Sequence, residues 1–398
     1  MSLPVLRLLP KADRRLRAGH LWIYSNEVDV AQTPLKGFSA GEQVWVENSA
    51  GKGMGVAYVN PNTLICARLI SRDAKYPLSK SLLVHRLNLA LSLREKAFSK
   101  PYYRLVYGEA DGLSGLVVDR FGDYLVVQIS TAGMELQRQA IVEALVQVVK
   151  PMAILFKNDG KFRAVEGLAE YVEDAYGSMP DQVELEENGV RFLAPVREGQ
   201  KTGWFYDHRL NRARVQHYAP GLKVLDVFSY VGGWGVQAAA AGAASVTCVD
   251  ASALALQQVA ANAQLNGVGE RVQTLKGDAF ETMKQLINEG ERYDMVILDP
   301  PAFIQRRKDI ANGEQAYQRA NQLAMRLLAK DGLLVSASCS MHLQTERLLD
   351  MVRATGRATD RHVVLLERGG QGADHPVHAA ISETEYLKSL LFRVTPAF

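Results

Sequence analysis

Residues 223–250 read KVLDVFSYVGGWGVQAAAAGAASVTCVD, and this stretch decides the fold. An apolar strand, KVLDVFS, runs into a glycine-rich turn that enters a helix, and a second apolar strand, ASVTCVD, ends on Asp250. A strand, helix and strand joined this way call for a right-handed crossover and a parallel sheet with both faces covered. The alternation continues downstream. RVQTLKGD, YDMVILD and GLLVSASCS are further apolar strands, linked through helical stretches such as SALALQQVAANAQLN and GEQAYQRANQLAMRLLAKD. A mostly parallel, doubly wound α/β sheet over residues 181–398 is the economical solution.

Upstream the chain has a different character. Between Gly37 and Ile70 it is a series of short β segments, GEQVWVEN, VAYVNPN and TLICARLI, with the glycine-rich SAGKGMG among them, which reads as a compact β domain. LSKSLLVHRLNLALSLREKAF has apolar residues at roughly helical spacing and leads away from it, giving a first domain over 1–75. YRLVYGEA, then GLVVDRFGDYLVVQIS with FGD as its turn, the helix ELQRQAIVEALVQVVK, AILFKND and YVEDAYG make a small α+β unit over 76–180. The hairpin VELEENGVRFLAP, with Asn188-Gly189 at its tip, separates that unit from the large sheet.

A chain of 398 residues exceeds one ordinary core, so several domains are expected. With 47% hydrophobic and 22% charged residues it is neither disordered nor collagen-like. It holds no run of 18 uncharged apolar residues, and MSLPVLRLLPKADRR lacks a signal-peptide h-region, so a cytoplasmic protein without membrane partners is expected. Cys66, Cys248 and Cys339 are distant and odd in number, which argues against a disulfide framework. No HExxH occurs, and the pair His375 and His378 has no evident third ligand, so no metal is expected. The charge surplus sits at the front: residues 1–80 carry 11 Lys and Arg against 6 Asp and Glu. There Lys11, Arg14, Arg15, Arg17 and His20 adjoin Trp22 and Tyr24, a mixture suited to phosphate contact and base stacking, or simply a solvated charged face.

Ligands of open α/β sheets bind beyond the carboxyl ends of the strands. The first strand places Asp226 inside it and Gly232, Gly233 and Gly235 in the following turn, where glycine permits close approach of a ligand. Asp250 ends the second strand, where a carboxylate can accept bonds from two ribose hydroxyls, of NAD or S-adenosylmethionine equally. Asp278, in Gly277-Asp278-Ala279, can face an adenine amino group, cap a helix, or do both. The fourth strand ends Asp299-Pro300-Pro301-Ala302-Phe303, the most specific signal in the chain. Two prolines stiffen the loop and remove two backbone donors, and Phe303 offers a ring to a planar base. At the fifth strand end, Ser338-Cys339-Ser340, the cysteine reads either as core packing or as a nucleophile at the mouth of the cleft.

Together these residues resemble a class I, Rossmann-like S-adenosylmethionine-dependent methyltransferase. KTGWFYDHRLNR, LDVFSYVGGWG, LDPPAF, SCS and the late ADHP and ETEYLK resemble more closely the ribosomal large subunit methyltransferase I family, bacterial enzymes making 5-methylcytosine in large-subunit ribosomal RNA. The resemblance spans the whole chain. It implies a PUA RNA-binding domain at the front, a small EEHEE-type α+β domain in the middle, and S-adenosylmethionine as cofactor. Carried over residue by residue, Asp226, Phe228, Ser229 and Gly232 surround the methionine part, Asp250 the ribose, and Asp278 with Ala279 the adenine. Thr202 and Gly203 close over the methionine end. RNA cytosine-5 methyltransferases often carry a second cysteine after the DPP-like proline. Ala302 stands there, so only Cys339 is available, and the resemblance to the single-cysteine large-subunit family implies that this later residue is the nucleophile.

The expected reaction extrudes a cytosine, because its ring cannot be reached while stacked. Cys339 adds to C6, Asp299 hydrogen-bonds around N3 or the amino group, Pro300, Pro301 and Phe303 hold the base, and Arg14 and Arg15 hold RNA. Rival readings are methylation of a guanine or adenine nitrogen, which needs no thiol, a non-catalytic RNA-binding assembly factor, and a nicotinamide oxidoreductase that leaves DPPAF and SCS without purpose. A homodimer is left open.

Overall fold

The computed structural model describes residues 3–398, which divide into two compact units. The first comprises the chain up to Val183 together with Ala194–Tyr206 and Ala373–Thr384; the second comprises Glu184–Leu193, Asp207–Gly372 and Glu385–Phe398.

The first unit carries two five-stranded sheets. One contains β1 (Val5–Arg7), β2 (Trp22–Tyr24), β3 (Gln43–Glu47), β4 (Gly53–Val59) and β5 (Ile65–Ser71), in the order β1-β3-β4-β5-β2. Val44 and Val46 are fully buried while Gln43, Trp45 and Glu47 are half-buried, the two-residue period of a strand with one face on a core. The helix Lys80–Ala97, capped by the Ser79 hydroxyl on the Leu82 amide, leads to the other sheet. That sheet contains β6 (Tyr102–Tyr107), β7 (Leu116–Phe121), β8 (Tyr124–Ile129), β9 (Ala153–Asn158) and β10 (Tyr171–Tyr176), in the order β10-β9-β8-β7-β6. Gly122 and Asp123 make the tight turn between β7 and β8. The helix expected over 135–150 is divided: a short turn spans Ala132–Glu135 and the long segment starts at Arg138, because Gln137 leaves helical geometry at φ −97° and ψ 9°.

A chain of buried charges crosses this unit. Arg94, fully buried, grips Asp111 with both terminal nitrogens at 2.6 and 2.7 Å and donates a third bond to the Asp374 carbonyl at 3.0 Å. The Asp374 carboxylate accepts the Arg104 amide at 3.1 Å, and the Arg104 guanidinium pairs with Asp119 at 2.8 Å. Each buried charge thus meets an opposite charge or a backbone dipole, which keeps its desolvation tolerable. The same network fastens residues 373–384 to this unit.

The hairpin of β11 (Val183–Glu187) and β12 (Val190–Ala194) supplies Glu184–Leu193 to the second unit. Its turn residues Asn188 and Gly189 sit at φ 53° and 79°, the double positive φ that a two-residue hairpin requires. The main sheet contains β13 (Lys223–Val227), β14 (Ser245–Asp250), β15 (Val272–Lys276), β16 (Tyr293–Leu298), β17 (Leu328–Ser338), β18 (Arg361–Gly369) and β19 (Lys388–Pro396), ordered β15-β14-β13-β16-β17-β19-β18. All its pairs are parallel except those of β19, which is antiparallel to both neighbours. The helix expected over 313–331 stops at Leu327, and Leu328–Asp331 instead extends β17, where Leu328 pairs with Tyr293 across an irregularity. Leu225, Val227, Met283, Val296, Leu334 and Phe392 join one core beneath the covering helices. Strand order reverses between β13 and β16, and that switch point is where such sheets open a ligand crevice. Among the described residues no helix is long and apolar enough to cross a membrane.

Candidate active site at the carboxyl ends of the parallel strands

Asp226 lies inside β13 and is fully buried. One oxygen accepts the Gly235 amide at 2.9 Å, while the other has no hydrogen-bond partner. Burial pushes this carboxyl up to about 7, partly offset by the Gly235 amide and reinforced by the charges of Asp299 and Asp250. A Cβ on Gly235 would stand 2.5 Å from the Cys248 sulfur and 3.0 Å from Asp226 Oδ2, so this helix start must be bare. Between strand and helix, Phe228, Tyr230 and Gly232 have φ of 68°, 48° and 86°. Two bulky residues in the left-handed region mark a backbone held under strain, a condition that clusters at ligand sites. The buried Ser229 hydroxyl also lacks a partner.

The next strand ends reinforce this turn. Asp250 accepts the Tyr230 amide on one oxygen and the Ser252 amide on the other, each at 2.9 Å. Asp278 caps the helix Ala279–Asn288 through Oδ1, which accepts the Phe280 and Glu281 amides at 3.0 and 3.1 Å. Ala279 is nearly buried at the first helical position. A cofactor with an amino-acid end, a ribose and an adenine fits these residues: two unpartnered buried polar atoms stand beside the glycine turn, and two carboxylates follow at successive strand ends.

Asp299, half-buried after β16, is held on both sides. Oδ1 faces His208 Nε2 at 3.1 Å and Oδ2 accepts the Trp234 indole N–H at 2.8 Å. Burial alone would raise this carboxyl, but His208 and the Trp234 donor outweigh it and hold Asp299 below the usual carboxylate range. Pro300 is buried and Pro301 exposed. The Phe303 ring packs 4.8 Å from Tyr317 and about 6 Å from both Phe228 and Phe280.

Cys339 follows β17 and is partly exposed, whereas Cys66 and Cys248 are buried. Its neighbours Ser338 and Ser340 are buried and bond the Tyr317 hydroxyl at 2.8 Å each, and Ser340 Oγ also accepts the Ile304 amide at 3.1 Å. Two serines flanking one cysteine therefore tie the β17 end to the loop after β16. Lys388, almost wholly buried at the start of β19, donates to the carbonyls of Ser340 at 2.6 Å and Tyr386 at 2.7 Å. Burial lowers its ammonium to about 8, against an opposing attraction from Cys339 and Glu385.

Asp226, Phe228, Ser229, Gly232, Asp250, Asp278, Ala279, Asp299, Pro300, Pro301, Phe303 and Cys339 thus all belong to the second unit and to the ends of its parallel strands. Thr202 and Gly203 belong to the first unit, where the fully buried Thr202 hydroxyl donates to Asp119 at 2.5 Å and Gly203 has φ +99°. Arg14 is exposed on the first unit. Arg15 pairs both ways with Glu27 at 2.8 and 2.7 Å and lies 4.7 Å over the Tyr24 ring. A cavity of about 490 Å³ in the first unit includes Arg86, which spends both terminal nitrogens on the carbonyls of Gly112 and Ile70. Among the described residues no group of three His, Cys, Asp or Glu side chains could hold a metal ion.

His208, Asn211, Trp234, Tyr317 and Lys388 hold the strand-end residues in place, and sequence reasoning misses them. His208 and Asn211 stand in KTGWFYDHRLNR and Lys388 ends ETEYLK, so a charged residue opening the apolar run SLLF is the available signal for the lysine.

Residues 163–393 match the family model of S-adenosylmethionine-dependent methyltransferases, and residues 6–72 match a PUA-like domain. The chain is similar to the ribosomal RNA large subunit methyltransferase I of Shewanella denitrificans, 33% identical over 98% of this chain and 99% of that one. To the enzyme of the same name from Vibrio cholerae it is 34% identical over 98% and 99%. Its fold is also that of SMU.776, assigned as a methyltransferase and crystallised with SAH, at a TM-score of 0.84 and 22% identity over 98% of this chain and 100% of that one.

Proposed function

The chain belongs to the ribosomal RNA large subunit methyltransferase I family, and from that premise we propose that it methylates C5 of a cytosine through a covalent adduct of Cys339 at C6. It is an S-adenosylmethionine-dependent methyltransferase of large-subunit ribosomal RNA. The observation that carries the finer reading is the partly exposed Cys339, flanked by two buried serines that bind its strand end to the loop after Asp299.

Cys339 Sγ, as thiolate, forms a bond to C6 of the extruded cytosine, and the electron pair of the C5–C6 double bond becomes available at C5. The cofactor, when bound, supplies the electrophilic methyl group. Loss of the C5 proton to a base then restores the double bond as the C6–S bond breaks and Cys339 leaves as thiolate. Lys388 favours that thiolate by placing a buried ammonium near it. Asp299, kept ionised, accepts from the exocyclic amino group and orients the ring. The unpartnered Asp226 Oδ1 and Ser229 Oγ suit the ammonium and carboxylate of the cofactor's methionine end, Asp250 the ribose hydroxyls, and Asp278 the adenine amine. On the first unit, Arg14 is proposed to neutralise an RNA phosphate, with Arg15 beside it.

Ribosomal RNA containing 5-fluorocytosine tests this, because the fluorine cannot be eliminated. With S-adenosylmethionine, intact mass should show a protein–RNA adduct in the wild type and none in Cys339→Ala. Methyl transfer that persists in Cys339→Ala, with no adduct in either protein, would replace this chemistry by methylation of a nitrogen.

A further inference from the structure

The side chain that aims Asp299 is itself aimed. Asn211 Nδ2 lies 3.1 Å from His208 Nδ1 and donates to the Gly370 carbonyl at 3.0 Å, while Asn211 Oδ1 accepts from Arg214 Nη1 at 2.9 Å. Arg214 is anchored in turn by Glu367 at 2.8 Å, which also receives the Tyr218 hydroxyl at 2.9 Å. Turning the Asn211 amide over would set its N–H groups against the guanidinium and its oxygen against a carbonyl, so its orientation is over-determined. Its NH₂ therefore faces His208 Nδ1, which must accept, and the ring of neutral His208 carries its proton on Nε2, toward Asp299.

Gly369 gives an independent sign of this arrangement. A Cβ there would fall 2.1 Å from Asn211 Oδ1 and 2.8 Å from Arg214 Nη1, although its backbone lies outside the left-handed region. Glycine is thus needed at the end of β18 for room, to let the amide and guanidinium meet.

We infer that Asn211, set by Arg214 and admitted by Gly369, is a positioning residue that fixes the His208 tautomer so that Asp299 presents an oriented carboxylate to the base being methylated. The inference rests on the role given to Asp299 above and deepens it. His208 packs at 4.9 Å against the Trp234 ring, and Trp234 donates to the other Asp299 oxygen, so the carboxylate is gripped by two donors that touch each other. Further charges near Asp299 and its surroundings include Asp207, which accepts the Tyr386 hydroxyl, Asp226, Asp250 and Arg212.

The test uses the full-length protein with ¹⁵N-labelled histidine, the His208 signals being assigned by their loss in His208→Gln. The expected spectrum of the neutral ring, taken at the alkaline end of its own titration, shows a bare Nδ1 and a protonated Nε2; a neutral ring with its proton on Nδ1 overturns the inference. Gly369→Ala, outside the reacting centre, should displace Asn211, change the His208 ring signals and lower kcat roughly 10- to 100-fold with KM for RNA unchanged. Asn211→Asp, which presents an acceptor to Nδ1, should draw a proton onto that nitrogen. Ring signals that change in Gly369→Ala while kcat stays at the wild-type value would overturn the positioning role. Failure of the cytosine reading is separate: it would remove the Cys339 adduct and leave the ring signals as described.

Discussion

Replacing Asp226 by asparagine should remove a loss of stability that the wild type suffers in alkaline solution, and should make the protein less active. The carboxyl is fully buried and pushed up to about 7, against 3.8 in an unfolded chain. Between those values the native protein keeps a proton that the unfolded chain has released, so the native state binds more protons and its stability falls as pH rises. The loss grows to roughly 4 kcal/mol at pH 8 and is about 1.7 kcal/mol at pH 5, at about 1.4 kcal/mol per unit. The amide introduced by Asp226→Asn never ionises. Whatever that amide costs beside the Gly235 N–H is the same at both pH values, so the stability of the variant relative to wild type should improve by about 2.5 kcal/mol from pH 5 to pH 8. For a unit of this size that is roughly 5 to 10 °C in relative melting temperature. Differential scanning fluorimetry of both proteins at the two pH values reads it directly. A gap between the two melting temperatures that stays constant, or moves against the variant at pH 8, would refute the buried, proton-holding carboxylate. Cofactor affinity should fall in the same variant, because a neutral amide accepts from an ammonium more weakly than an ionised carboxylate does.

Lys388→Gln should slow iodoacetamide modification of Cys339 several-fold at pH 7, followed by peptide mass spectrometry with buried Cys66 and Cys248 as internal references; in the wild type the advantage should fade above pH 8, where the ammonium itself deprotonates. Arg94→Met leaves the Asp111 carboxylate buried without its partner and should cost about 3–5 kcal/mol, with hydrogen exchange rising first in residues 373–384, which lose the bond to the Asp374 carbonyl. Arg14→Ala should reduce the log–log salt dependence of RNA binding by about one unit. Arg15→Ala should change it less, since Glu27 already neutralises that guanidinium.

The large sheet was legible because each of its first strands is a short apolar run stopped by an acidic or glycine residue, a pattern that depends only on local spacing. The residues at those strand ends were legible for the same reason: topology dictates where Asp226, Asp250, Asp278, Asp299 and Cys339 must come, whatever the details of packing. The hairpin tip Asn188-Gly189 was as plain, since few pairs tolerate two positive φ angles. What supports the site was not legible. His208 meets Asp299 across 91 positions of sequence, and Lys388 meets Ser340 across 48, separations no periodicity encodes. The extension of β17 through Leu328–Asp331 is not legible because those residues carry good helical propensity, and pairing with β16 overrides it. Nor could composition show that residues 194–206 and 373–384 pack with the front of the chain, because their partners are buried charges such as Asp119 and Arg94, spent on contacts rather than on pattern.

The interleaving of segments governs how the protein is made. The polypeptide passes from one unit to the other five times, after Val183, Leu193, Tyr206, Gly372 and Thr384. No single cut yields two complete halves, so the catalytic part cannot be exchanged as a cassette between proteins. During synthesis the front sheets emerge first, yet their last structural piece, residues 373–384, follows β18 and with it six of the seven strands of the large sheet. The first unit therefore cannot be completed until almost all of the large sheet has been synthesised, which makes the folding of the two units interdependent rather than sequential.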